Sequence, residues 1–123
     1  MRYKKDVIFL GRIEPRSEVD KLISGALAFS YISNFEGFGL PVLEAMRCKV
    51  PVITSNCSAL PEVVGNAALL IDPTSIDKIV NAYEKVYADA ALRNSLVEKG
   101  SQQIRKFNWD DTAKKIWEVI SSI

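Results

Sequence analysis

Glu36 and Glu44 stand with seven residues between them in the stretch Asn34-Phe35-Glu36-Gly37-Phe38-Gly39-Leu40-Pro41-Val42-Leu43-Glu44-Ala45-Met46. The first carboxylate precedes a Gly37-Phe38-Gly39 turn. The second falls inside a segment that reads as a helix of about two turns. A helix entered through a glycine turn, with Pro41 near its start, leaves backbone N–H groups free and offers the positive end of its dipole to an anion. Carboxylates at such a place accept hydrogen bonds from hydroxyls. Together the two devices suit a ligand with an anionic middle and hydroxylated ends, and a nucleotide-sugar is such a ligand. Each part also has a plainer reading. Gly37-Phe38-Gly39 can be a tight turn and no more. It is not a dinucleotide fingerprint, because Val42 occupies the place of the third glycine. Glu36 alone reads as a capping carboxylate, and Glu44 alone as a surface glutamate. The functional reading gains because turn, helix start and carboxylates coincide.

The elements that must position these residues belong to a chain of 123 residues, the length of one domain. A domain of this size hides about two-thirds of its unfolded surface, enough for a real core. A hydrophobic share of 48% with 25% charged residues is the balance of a soluble globular protein. The net charge of +1 implies no pull toward nucleic acid or a membrane surface. There is no histidine, which excludes histidine-dependent catalysis and histidine-containing metal sites within this chain. Cys48 and Cys57 could pair. A near-neutral α/β chain without a signal peptide is expected to keep both reduced. The apolar run near the start, Val7-Ile8-Phe9-Leu10, is too short for a signal core. No run approaches the roughly 20 residues of a membrane span. A cytoplasmic location is the default expectation.

Val7-Ile8-Phe9-Leu10, stopped by Gly11, reads as a buried strand. Ser17 is expected to cap a helix that ends at Gly25, with Asp20 completing a weak capping box. Ala26 to Ser33, Pro51 to Ser55 and Ala67 to Ile71 read as further strands. The rest reads as helical. Thr74 or Ser75 caps a helix with a stripe at Ile76, Ile79, Val80, Tyr83, Val86 and Tyr87. Asp89 starts another helix, with Gly100 as a soft point. Asn108 caps a last one carrying Trp109, Ile116, Trp117 and Ile120. Short apolar strands alternating with helices imply an α/β fold: a Rossmann-like parallel sheet with flanking helices. In such sheets ligands bind beyond the carboxyl ends of strands, beside helix N-termini, which is where the Glu36–Leu40 turn falls.

The string Glu36 to Met46, then Pro51-Val52-Ile53-Thr54-Ser55, then Leu60-Pro61-Glu62-Val63-Val64-Gly65-Asn66-Ala67-Ala68, resembles the carboxyl-terminal domain of retaining nucleotide-sugar glycosyltransferases of family four, which have the GT-B fold. Val7 to Gly11 matches the strand before that family's nucleobase loop, and Phe107-Asn108-Trp109 is similar to its Phe-Ser-Trp near the end. The resemblance runs over nearly the whole chain. It implies that Glu36 contacts hydroxyls of the transferred sugar as the catalytic carboxylate. It implies that the loop of Gly37, Phe38, Gly39 and Leu40 binds substrate, with the N–H groups of the last three touching sugar and diphosphate oxygens. Glu44 would hold the ribose hydroxyls, and Gly11 and Arg12 would flank the nucleobase. A carboxylate gripping hydroxyls makes charge-assisted bonds, and a helix terminus stabilises charge growing on a leaving diphosphate. These roles need no protein-bound metal and no cofactor. Arg12 also reads as a solvated loop cation, and Glu62 as a loop cap or turn. Glycogen synthases and other GT-B transferases share the two-glutamate arrangement.

Residues 1–123 are therefore expected to be a single domain, a partial GT-B carboxyl-terminal domain. Enzymes of this kind have two Rossmann-like domains and an active site between them. The acceptor-binding amino-terminal domain and the start of the carboxyl-terminal one are expected to be missing, so the chain alone should not catalyse transfer. The whole would move a hexose from a nucleotide-diphosphate-sugar donor to an acceptor in polysaccharide or glycoconjugate synthesis. It would be cytoplasmic, or peripheral to the inner membrane when complete. Missing strands imply unpaired edges. Either the Val7–Leu10 strand pairs with the Ala26–Ser33 strand, or another chain supplies the pairing in a homodimer or strand-exchanged assembly. The last helix, with Trp117, Ile120 and Ile123, would pack on the missing domain, stay bare or serve that dimer. Lys49 stands where the family has glycine and is expected in a strained left-handed cap. A non-catalytic nucleotide-sugar binding module is the alternative from another class. A flavodoxin-like receiver is disfavoured, since only Asp72 among acidic residues follows a strand.

Overall fold

The structure is a computed structural model, and it describes residues 3–123. Three strands, β1 (Phe29–Tyr31), β2 (Val52–Ser55) and β3 (Ala68–Ile71), form a parallel sheet in the order β1-β2-β3. Phe29 lies opposite Val52 and Tyr31 opposite Thr54, while Val52 lies opposite Ala68 and Ser55 opposite Ile71. Six α-helices surround the sheet: α1 (Arg16–Ser24), α2 (Leu40–Arg47), α3 (Leu60–Val64), α4 (Ile76–Ala88), α5 (Ala90–Gln103) and α6 (Trp109–Ser121).

Side chains alternate between the two faces of a strand, so neighbours on β2 enter different cores. Val52 joins Val42, Ala45 and Met46 of α2 and Leu60 and Val64 of α3. Ile53 joins Ile71 and, from α4, Ala82 and Val86. The sheet is thus covered on both faces, and the central strand is buried at every position. Helix α5 lies against α2. A Cβ on Gly100 would stand 3.2 Å from Met46 Cγ, so this glycine lets two helices approach closely and is not a soft point.

The caps follow the expected chemistry. Ser75 Oγ accepts from the Lys78 amide (3.4 Å), Asp89 Oδ1 from that of Leu92 (2.8 Å), and Asn108 Oδ1 from that of Asp111 (2.7 Å). Lys49 takes the expected left-handed conformation, with φ 59°. Its amide donates to Met46 and that of Val50 to Ala45, closing α2 just before Pro51.

Other expectations need correction. Val7–Leu10 forms no strand; Ile8 is 79% and Phe9 89% exposed. Of the two pairings expected for it, the one with the Ala26–Ser33 segment is not formed, and that segment's strand shrinks to Phe29–Tyr31. A continuous apolar run is held as a buried strand only where neighbours take its backbone groups and layers cover both faces. Helix α1 starts at Arg16 after Pro15, and Ser17 lies inside it with no capping bond. Glu62 belongs to the first turn of α3, a short helix in place of the expected loop. Pro61 near its start and the buried Leu60, Val63 and Val64 make that helix.

Candidate functional site

The Gly37-Phe38-Gly39 turn leaves β1 and opens α2, as its composition implies. Gly39 precedes the first helical residue at φ 98°, and a Cβ there would stand 2.7 Å from Leu60 Cδ2. Both the backbone angle and the space demand glycine. Gly37 and Leu40 are exposed, as is half of Phe38. The N–H groups of Phe38, Gly39 and Leu40 meet no acceptor among the described residues. Those of Phe38 and Leu40 stand on exposed residues and that of Gly39 on a buried one, together an electropositive helix start.

The two glutamates are held differently. Glu36 is half-buried, and its Oε1 accepts from the Tyr31 hydroxyl at 2.8 Å. Its amide donates to Ser58 Oγ at 3.0 Å. The hydrogen bond to Glu36 raises the Tyr31 phenol above its ordinary value, with burial and the carboxylate's charge adding to the effect. Glu44, one helical turn inside α2, forms an ion pair with Arg16 at the start of α1. Its side chain is 27% exposed against 64% for Arg16. A second contact, Arg47 to Asp20 at 3.6 Å, also ties α1 to α2.

Phe38, Leu40 and Glu44 share one groove of about 910 Å³ between α2 and α6. Phe107 and Trp109 line its other side, and Phe107 meets Phe38 edge to face at 5.9 Å. Arg47, Arg105, Lys106 and Lys115 add cations to this apolar groove. Glu36 does not line it and stands instead on the β1 side of the turn, against Tyr31. Gly11 and Arg12 do not line it either. Gly11 is exposed at φ 65°, and Arg12 bonds Glu14 through Nε at 2.7 Å in the loop before α1. A smaller cavity of about 450 Å³, with Asn56, Asp72 and Lys78 in its wall, lies between β3 and α4. None of the sequence-predicted site residues reaches it.

Three neighbours of the glutamates escaped the sequence reading. Arg16 lies 28 positions before Glu44, and no local pattern links them. Ser58 lies 22 positions after Glu36. Tyr31 had a usable signal: the last residue of a parallel strand stands at the ligand edge of the sheet.

A parallel sheet covered on both faces, with a helix N-terminus beyond its first strand, is the architecture of doubly wound nucleotide-binding α/β domains. Residues 1–103 match the family described as glycosyl transferases group 1, and the chain belongs to that family. It is 41% identical over 103 residues to O-antigen chain mannosyltransferase B of Escherichia coli, covering 84% of this chain and 27% of that protein. Its fold superposes on sucrose-phosphate synthase of Thermosynechococcus elongatus with a TM-score of 0.86 at 28% identity, over 98% of this chain and 31% of the other. It also superposes on the carboxyl-terminal domain of a glycosyl transferase group 1 family protein of Francisella tularensis, with a TM-score of 0.73 at 30% identity, over 84% of this chain and 54% of that one. The chain therefore spans about a quarter of the mannosyltransferase's length. Its structural neighbours are GT-B glycosyltransferase domains, and its architecture is the expected Rossmann-like α/β sheet.

Proposed function

We propose that this chain is the donor-binding part of a retaining glycosyltransferase of family four. The complete enzyme moves a hexose from a nucleotide-diphosphate-sugar to an acceptor in polysaccharide or glycoconjugate synthesis. The observation that carries the reading is the amide terminus of α2 with Glu36 on one side and Glu44 one turn on. The diphosphate lies against the N–H groups of Phe38, Gly39 and Leu40, where charge grows as the sugar departs. Glu36 accepts from the sugar's hydroxyls. Glu44 accepts from ribose hydroxyls, with Arg16 holding its carboxylate in place. Gly11 and Arg12 come to the base from the loop before α1. Similarity to the O-antigen mannosyltransferase supports a hexose and a surface-glycan setting.

The acceptor site and the walls that exclude water come from another domain, so the 123-residue chain alone binds donor weakly and does not turn over. The complete enzyme works in the cytoplasm or at the inner membrane's surface. Turnover by the complete enzyme tests the site. Glu36→Ala and Glu44→Ala are each expected to lower kcat/KM at least a hundredfold, roughly the loss of one charge-assisted contact plus misplacement. Proton NMR of the anomeric product tests retention. If both variants turn over at the parent rate, the site assignment fails.

A further inference from the structure

We propose that Tyr31 and Ser58 form a two-point clamp that sets the Glu36 carboxylate before the sugar arrives, making both positioning residues for sugar recognition. The proposal rests on the reading of Glu36 as the carboxylate that meets the sugar.

Glu36 sits in irregular chain between β1 and α2, next to a glycine turn. Locally, Ser33 Oγ ties the Phe35 carbonyl (3.0 Å) and amide (3.3 Å), one residue short of Glu36. The structure fixes Glu36 itself from two separate elements. From β1, the Tyr31 hydroxyl donates to Oε1 at 2.8 Å. From the loop between β2 and α3, Ser58 Oγ accepts the Glu36 amide at 3.0 Å. Both holders are themselves anchored. The Tyr31 ring stacks on Phe29 with centroids 6.2 Å apart, and the Tyr31 carbonyl accepts from the Thr54 hydroxyl at 2.7 Å. Ser58 is held at φ 53°, a conformation a serine occupies only under constraint. The two loops are stitched further down. The Ser33 amide donates to Ser55 Oγ at 2.9 Å, and the Cys57 thiol reaches the carbonyls of Ser33 and Asn34 at 3.5 Å each.

The clamp takes one carboxylate oxygen and leaves the other. Oε2 of Glu36 has no partner among the described residues. A carboxylate tied at Oε1 presents Oε2 in one direction, which removes the ordering cost of gripping a hydroxyl. The phenol is well suited to the task. The carboxylate beside it raises its ionisation above the ordinary tyrosine range, so it remains a donor at every physiological pH.

Tyr31→Phe isolates the hydroxyl and keeps the stacked ring. In the complete enzyme it is expected to lower kcat/KM for the nucleotide-sugar roughly tenfold. Inhibition by the free nucleoside diphosphate, which lacks the sugar, should stay unchanged. Combining it with Glu36→Gln should bring no further loss, because the hydroxyl acts only through that carboxylate. Ser58→Gly, which suits the left-handed backbone and so retains the fold, should show a smaller loss of the same sugar-specific kind. If Tyr31→Phe and Ser58→Gly turn over at the parent rate while Glu36→Gln is impaired, the clamp is refuted and the site reading stands. If Glu36→Gln is also at the parent rate, the site reading falls with it. Losses that multiply in the double variant, or equal weakening toward the free nucleoside diphosphate, would give Tyr31 an independent or merely structural role and overturn the proposal.

Discussion

Val7-Ile8-Phe9-Leu10 is more apolar than Val52-Ile53-Thr54-Ser55, yet the first run is exposed throughout and the second is sealed, with no residue above 1% exposure. Composition would rank them the other way. What separates them is position. The Val52 run is the middle strand of three, with a neighbour on each edge and a helical layer on each face. The Val7 run meets neither. The same contrast recurs between helices. Helix α4 buries Ala82 and Val86, whereas α6, equally striped, buries nothing and leaves Trp109 and Trp117 at 78% and 69% exposure. Apolar pattern tells which face seeks cover; the neighbours available decide whether it finds any.

The largest expected effect tests this contrast directly. Ile53→Ala should cost about 2–5 kcal/mol, because the side chain is fully enclosed and the strand around it cannot collapse. Ile8→Ser, a harsher change in polarity, should stay within about 0.5 kcal/mol. Urea unfolding of both variants reads the difference. A large loss at Ile8 would show that the run is packed in solution. Light scattering then asks what covers it. Exposed apolar surface on this scale predicts self-association of the 123-residue chain at micromolar concentration, reduced in Ile8→Ser. A clean monomer would count against the homodimer.

The same contrast shows what could be read in advance. The helix starts at Ser75, Asp89 and Asn108 and the turn at Gly39 were legible because each is settled within four residues by capping or by backbone angle. Strands β2 and β3 were legible because the sheet supplied what their apolar pattern required. Val7–Leu10 carried the same local signal and failed, since pairing is not local. Gly100 looked like a weakness in α5 because helix propensity is local, while Met46, whose side chain it accommodates, lies 54 positions away. At the site, the loop and both glutamates were visible as a motif. Their holders were not: Arg16, Tyr31 and Ser58 became partners only once α1, β1 and the β2–α3 loop were assembled around them.

Lys49 sharpens the comparison inside the packed half. Its backbone is left-handed at φ 59° although its side chain is solvated, so the cost is one of backbone geometry and not of burial. Glycine removes a penalty on the order of 1 kcal/mol while keeping the amide bonds to Met46 and Ala45. Its greater freedom in the unfolded chain offsets part of that gain. Lys49→Gly should therefore raise the thermal midpoint by a few degrees, in keeping with up to about 1 kcal/mol. A lower midpoint would mean that the lysine side chain contributes a contact outweighing the strain.

The smallest effect lies at the rim of the packed sheet, where Asp72 follows β3. The Thr74 hydroxyl (2.7 Å) and then its amide (3.0 Å) hold this carboxyl below its ordinary value, with help from the Lys78 ammonium at 3.5 Å and against a weak opposing effect of burial. A carboxyl that binds its proton more readily unfolded than folded adds stability at neutral pH. That contribution is complete above the unfolded value of about 3.9 and disappears as pH falls through the lower, folded one. Asp72→Asn keeps an oxygen for Thr74 and removes the charge. Its thermal midpoint should lie slightly below the parent's at pH 7, and the two curves should converge in acid. Curves that run parallel from neutral to strongly acidic pH would show that the charge contributes nothing here. The rim of the sheet would then resemble the exposed Val7 run, present in the fold without stabilising it.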